Sequence, residues 1–382
     1  MCINFIHYLS RMYEYEFIIN SNTEEDIIRY KKESQHDQIE KLDLVEENAK
    51  AYNFPIRMYN LFKAIQKHNP SMIVMLGGDD LTESYSITSA ISESIKIYIL
   101  TLKYNVYLVC QNIGPFRKWL MNIVKTLLKN CIIYTRDEKT YDYLKDDLKL
   151  NYIYKSSDLG FIELPLQKRE IYAELREKYN LVEGEYITLV PSGLVTKYSS
   201  NRDSYVESWV EIINGIRKIY ETKDKKIVLL SHVLKPDHAD DRKIIKEILG
   251  KIDNNKENVV PIVDEILPSE ARLILGNGLF TITGRMHAAI STIQMLKPAI
   301  ALSYGFKYDG VLGQMMGLND LIIKSDIENL WTEKIIVGEM LEKVHYVLNN
   351  YDKIIDRINF NLNKNMQIVM DTLKHISSNI EG

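Results

Sequence analysis

Residues 283–310 read TGRMHAAISTIQMLKPAIALSYGFKYDG, which is the order of a strand end, a helix and the next strand. The run LFTITG (279–284) is short, apolar and closed by a glycine. HAAISTIQML (287–296) carries apolar residues at helical spacing, and PAIALSY (298–304) is again a short β-rich run. Alternation of this kind builds a parallel sheet, and ligands bind outside the carboxyl ends of such strands. Gly284 ends the first strand, so N–H groups at the start of the next helix point to the ligand side. Arg285 adds a planar fork suited to phosphate or carboxylate, and His287 an imidazole suited to proton transfer. Lys307 follows the next strand as a compact cation that can reach a phosphate. A surface arginine, a satisfied core histidine and a solvated lysine are the bland alternatives. Successive strand ends favour a site for Arg285 and His287, whereas spacing alone leaves Lys307 open.

The alternation extends outward. Strand patterns fall at 14–20, 71–80, 105–115, 130–137 and 151–160, with helical patterns at 56–68, 86–104, 117–129 and 138–148. After Glu163–Pro165 it restarts. Helices are expected at 169–181, 204–221, 241–252 and 268–277, and strands at 186–193, 226–233 and 259–264. A long helix is expected over about 335–375. The expected fold is α/β, with two Rossmann-like domains facing across a cleft in a GT-B-like arrangement. The expected domains are 1–165 and 166–334, with 335–382 as a C-terminal helix.

Composition narrows the function. A chain of 382 residues that is 46% hydrophobic and 26% charged is globular and long enough for two domains. A net charge of −4 argues against nucleic acid as a partner, so any anionic ligand must be held by a few placed cations. Cys2, Cys110 and Cys131 form no metal spacing, and an odd count argues against a disulfide framework. Two buried thiols and a terminal one fit a reducing cytoplasm. No apolar run reaches the ~18 residues of a membrane span, which leaves peripheral membrane contact open. The opening MCINFIHYLSRMYEYEF is a poor signal peptide.

Other strand ends add candidates. His232 follows the strand at 226–231 as a second proton carrier or a turn cap. Arg136 is a candidate substrate contact, and Asp137 reads as a helix N-cap. At Gly77-Gly78-Asp79-Asp80 the glycines let backbone approach a ligand, and the carboxylates suit sugar hydroxyls or helix caps. No His/Asp cluster accompanies them, so no metal is expected.

Residues 284–320, GRMHAAISTIQMLKPAIALSYGFKYDGVLGQMMGLND, resemble the C-terminal signature of the polysaccharide pyruvyl transferase family. The pattern is Arg-x-His, an apolar helix, a Pro-led strand, Tyr-x-x-Lys and a Gly-Leu segment. Supporting pieces occur in order: GGDD (77–80), CQNIGPF (110–116), RDEKTYDYL (136–144), SSDLGF (156–161), PSGLV (191–195) and LLSHV (229–233). The resemblance spans about 70–325. It implies a GT-B-like fold and transfer of the enolpyruvyl carbons of phosphoenolpyruvate to a sugar, forming a pyruvate ketal and releasing phosphate. Arg285 and His287 would then hold phosphoenolpyruvate beside Gly284, with His287 the leading acid/base, and Lys307 would pair with its carboxylate or phosphate. Phosphoenolpyruvate would be a co-substrate with no further cofactor, and the acceptor a glycan or lipid-linked sugar. Three features depart from the family. No glycine- and asparagine-rich turn precedes 14–20, and residues 1–13 read as the tail of a helix. GGDD replaces a more glycine-rich turn, and SSDLGF lacks the usual proline. The N-terminal domain is therefore expected to be incomplete or built differently. A GT-B glycosyltransferase using a nucleotide sugar, with Asp309 or Asp320 on the ribose, is the alternative, and a non-catalytic scaffold the third reading.

Overall fold

The computed structural model describes residues 1–21, 23–44, 54–78, 81–83, 86–252, 258–305 and 307–381. The chain divides into two compact units: Met1–Leu159 with Asn365–Gly382, and Gly160–Lys364.

The first unit begins with α1 (Cys2–Ser10), β1 (Phe17–Ile19), α2 (Glu24–Ser34) and β2 (Ile39–Lys41). β1 and β2 pair in parallel, Phe17 opposite Ile39, with α2 as the crossover. Thr23 caps α2 by accepting from the Asp26 N–H at 3.2 Å, and Glu24, Glu25 and Asp26 sit at its positive end. α3 (Phe54–His68), β3 (Met72–Leu76), α4 (Ile87–Thr101), β4 (Asn105–Gln111), α5 (Lys118–Leu128), β5 (Ile132–Thr135), α6 (Glu138–Asp142) and β6 (Ile153–Lys155) follow. The last four strands make a parallel sheet in the order β3-β4-β5-β6. β4 is buried from Val106 to Gln111, as a parallel strand covered on both faces must be. Its register slips at Cys110, whose φ is 59°. Burial pushes the Cys110 and Cys131 thiols up to about 12, so both behave as small apolar side chains.

The second unit contains α7 (Arg169–Lys178), β7 (Tyr186–Val190), α8 (Arg202–Ile216), β8 (Lys226–Leu230), α9 (Asp241–Lys251), β9 (Val259–Ile262), α10 (Pro268–Asn277), β10 (Thr281–Thr283), α11 (Met286–Gln294) and β11 (Ala299–Ser303). It continues through β12 (Ile322–Lys324), α12 (Glu328–Thr332) and α13 (Ile335–Asn349). Its six parallel strands run β9-β8-β7-β10-β11-β12, the doubly wound Rossmann order. That order reverses direction between β7 and β10, where the crevice for a ligand opens.

The α/β expectation with two Rossmann-like units holds. The expected single helix over 335–375 is instead two helices. α13 ends at Asn350, which leaves helical geometry (φ −123°, ψ 20°), and α14 (Tyr351–Glu381) starts afresh. α14 begins in the second unit, and its residues from Asn365 onward belong to the first. There Asn365 accepts from the Ser157 hydroxyl at 2.7 Å, Thr372 meets Ser156 at 2.9 Å and His375 meets Tyr134 at 3.0 Å.

Candidate functional site

The carboxyl ends of β7, β8, β10 and β11 carry Ser192–Gly193, Ser231–His232, Gly284–His287 and Tyr304–Lys307. Asp241 draws three of these together. It is fully buried at the start of α9. Asp240 caps that helix by accepting from the Arg242 N–H, which leaves Asp241 facing the strand ends. One oxygen of Asp241 accepts from the Gly193 N–H at 2.7 Å and from Arg285 Nη2 and Nε at 2.6 and 3.1 Å. The other accepts from the His232 and Val233 N–H groups at 3.1 and 2.8 Å. The Arg285 Nη2 also donates to the Ala239 carbonyl at 2.6 Å. A Cβ on Gly193 would lie 2.6 Å from the Ala239 and Asp240 carbonyl oxygens, so only glycine lets the two loops meet.

The β10–α11 turn is bound on every side. Thr283 Oγ1 accepts from the Arg285 N–H at 2.8 Å and donates to its carbonyl at 3.1 Å. The Gly284 carbonyl accepts from the Tyr198 and Tyr308 hydroxyls at 2.7 and 3.0 Å, and a Cβ on Gly284 would meet the Tyr198 hydroxyl at 2.8 Å. Arg285 is the N-cap of α11 and 8% exposed. His287 is half-buried in the helix's first turn.

His232 sits where cations accumulate. Burial, with His287, Arg285 and Arg272 close by, pushes its imidazole down to about 3, so it is neutral around pH 7. Arg272 is itself buried on α10, donating to the Gly160 and Ile162 carbonyls at 2.9 and 2.8 Å.

Lys307 reaches the β10–α11 turn through Tyr308, whose ring lies 5.9 Å from its Nζ and whose hydroxyl bonds the Gly284 carbonyl. Its Nζ donates to the Tyr304 hydroxyl at 3.2 Å and sits over the Tyr304 ring at 4.8 Å. The Tyr304 ring packs edge-on against Tyr198 at 5.5 Å and Tyr308 at 5.6 Å, the two residues whose hydroxyls hold the Gly284 carbonyl. Asp320 is held internally by Arg357 at 2.8 Å and Tyr346 at 2.5 Å.

In the first unit the candidates have internal partners. Arg136 is 2% exposed and paired with the fully buried Asp158 at 3.5 Å. Asp137 caps α6 through the Thr140 N–H at 2.9 Å, as its position indicated. The close approach that requires Gly77 is to backbone of its own sheet: a Cβ there would lie 2.0 Å from the Cys110 carbonyl oxygen. The Gly78 carbonyl accepts from the Asn112 N–H at 3.2 Å. Asp79 and Asp80 lie outside the described residues. Among the described residues no group of three His, Cys, Asp or Glu side chains could hold a metal ion.

Sequence reading missed Asp241, Arg272, Tyr198 and Tyr308. The adjacent acids Asp240–Asp241 at a helix start were a signal, because one cap needs only one of them.

A family model described as polysaccharide pyruvyl transferase matches residues 3–305. The amylovoran biosynthesis protein AmsJ of Erwinia amylovora is 22% identical over 298 residues, covering 75% of this chain and 67% of AmsJ. Among solved structures, UDP-GlcNAc 2-epimerase from Neisseria meningitidis bound to UDP-GlcNAc superposes with a TM-score of 0.62 at 11% identity, over 94% of this chain and 91% of that one. TcCGT1 in complex with UDP gives 0.61 at 10% identity, over 99% and 95%. These likenesses are of fold, and the fold is GT-B-like.

Proposed function

The chain belongs to the polysaccharide pyruvyl transferase family, and from that premise we propose that it moves the enolpyruvyl carbons of phosphoenolpyruvate onto a sugar of a cell-surface polysaccharide or its precursor. The product is a pyruvate ketal, and phosphate is released. The observation that carries this reading is the convergence of Arg285, His287 and His232 at the carboxyl ends of neighbouring strands, with the buried Arg272 close to His232. A small, strongly anionic ligand is the chemistry such a pocket suits.

The reaction makes two demands, proton transfer and stabilisation of charge. The enol carbon takes a proton, and a sugar hydroxyl adds at the cationic centre that results, losing its own proton. The C–O bond to phosphate then breaks, and a second hydroxyl adds as its proton leaves. His287, in the first turn of α11, is our choice for the acid/base, with His232 the second carrier. Arg285, held in place by Asp241 and the Gly284 turn, faces the anion, and Lys307 neutralises its carboxylate or phosphate. The acceptor is a glycan or lipid-linked sugar handled in the cytoplasm.

The test is incubation with phosphoenolpyruvate and a panel of glycosyl acceptors. Phosphate release and a mass gain for the ketal are expected. No turnover, with thermal stabilisation by a nucleoside diphosphate but not by phosphoenolpyruvate, would sink this reading in favour of a nucleotide-sugar glycosyltransferase.

A further inference from the structure

α5 lies on the first unit, and its outer face is unusual. From Arg117 to Lys129 the sequence RKWLMNIVKTLLK holds four cations and no acid. Leu120, Val124 and Leu128 are fully buried and anchor the helix to its unit. By the period of about 3.6 residues per turn, Lys118, Lys125 and Lys129 fall on one outer stripe and Trp119 with Ile123 on another about 120° round the helix, with Asn122 and Thr126 exposed between them. Trp119 is 52% exposed and Ile123 40%, while Lys118 and Lys129 are exposed and Lys125 half-buried.

Helix stability does not account for this arrangement. α5 starts with Arg117 and Lys118, has no acid in its first turn and no side-chain cap. Cations at a helix N-terminus oppose the macrodipole. Glu83 offsets Arg117, pairing with its Nε at 3.0 Å, and the lysine stripe has no counterpart on the helix itself. A large exposed indole is also costly in water and suits the apolar–polar boundary of a lipid surface. An apolar stripe and a basic one on the two flanks of the exposed face are complementary to a bilayer that offers acyl chains and negative headgroups. No helix among the described residues is long and apolar enough to cross a membrane.

We propose that the outer face of α5 docks the first unit on an anionic lipid surface, with Trp119 and Ile123 entering the interface and Lys118, Lys125 and Lys129 facing the headgroups. This stands independently of the pyruvyl transfer reading.

The chain has three tryptophans, and Trp209 and Trp331 are fully buried, so a change in intrinsic fluorescence on vesicles reports Trp119. The full chain is mixed with phosphatidylcholine vesicles with and without phosphatidylglycerol, and followed by co-sedimentation and by quenching from brominated lipid. Binding only to the anionic vesicles, weakened by salt, with quenching of tryptophan emission, is expected. The triple change Lys118→Glu, Lys125→Glu and Lys129→Glu should weaken binding at least about tenfold, since each cation contributes to headgroup attraction. Trp119→Ala tests the apolar half separately and should abolish the quenching. Three results overturn the proposal: no binding to anionic vesicles, undiminished binding by both variants, or a self-associated form in which Trp119 is already shielded and vesicles compete no better than buffer.

Discussion

Asp241 is a buried carboxylate whose oxygens take one guanidinium and three backbone N–H groups. Deleting it leaves the Arg285 charge buried without a carboxylate partner, donating to the Ala239 carbonyl. Breaking a buried pair by removing one partner costs about 3–5 kcal/mol. Asp241→Ala is therefore expected to lower the urea midpoint markedly, and a midpoint within error of wild type would show that the pair is not a stability element. The same reasoning makes Arg285→Ala a poor probe of ligand binding, because it strands the Asp241 charge. His287→Asn perturbs the site without breaking that pair.

His232 gives a pH signature at the same scale. Its pKa is lowered from 6.5 to about 3 in the fold by burial and by His287, Arg285 and Arg272. The unfolded chain then binds the proton first, so stability rises with pH between those two values and is flat above them. Wild type should lose stability on going from about pH 7 to about pH 5. His232→Gln should lose less over the same window, and equal losses in the two proteins would refute the assignment.

At the scale of elements, α14 is the piece whose importance is least visible from its surroundings in the chain. Val369, Leu373 and Ile376 are fully buried, and all three belong to the part of α14 assigned to the first unit. Each such side chain contributes about 1.5–3 kcal/mol. A chain ending at Lys364 is expected to lose protection of residues 1–159 in limited proteolysis while the second unit survives. Equal resistance of both units would contradict that placement. The strands and most helices were legible beforehand, because apolar runs and helical periodicity record local burial. α2 and β2 were not: EEDIIRYKKES is mostly polar and IEK is three residues long. The break at Asn350 was hidden because no glycine or proline marks it.

At the scale of the molecule, the amino-acid order alone settles several things. It settles the strand–helix alternation, the Gly284–Arg285–His287 turn and membership of the family, because each is written in neighbouring residues. Strand order is different. Arg285 meets Asp241 across 44 positions because β10 pairs with β7 and β8 lies beyond it. A parallel sheet can be threaded in several orders by the same local pattern. Only the packed chain decided which strand ends converge, that the Arg285 fork is shared with a buried carboxylate, and that burial keeps His232 neutral. It also decided that the last turns of α14 complete the first unit. Those outcomes rest on distance and desolvation between remote residues, and no local period encodes either.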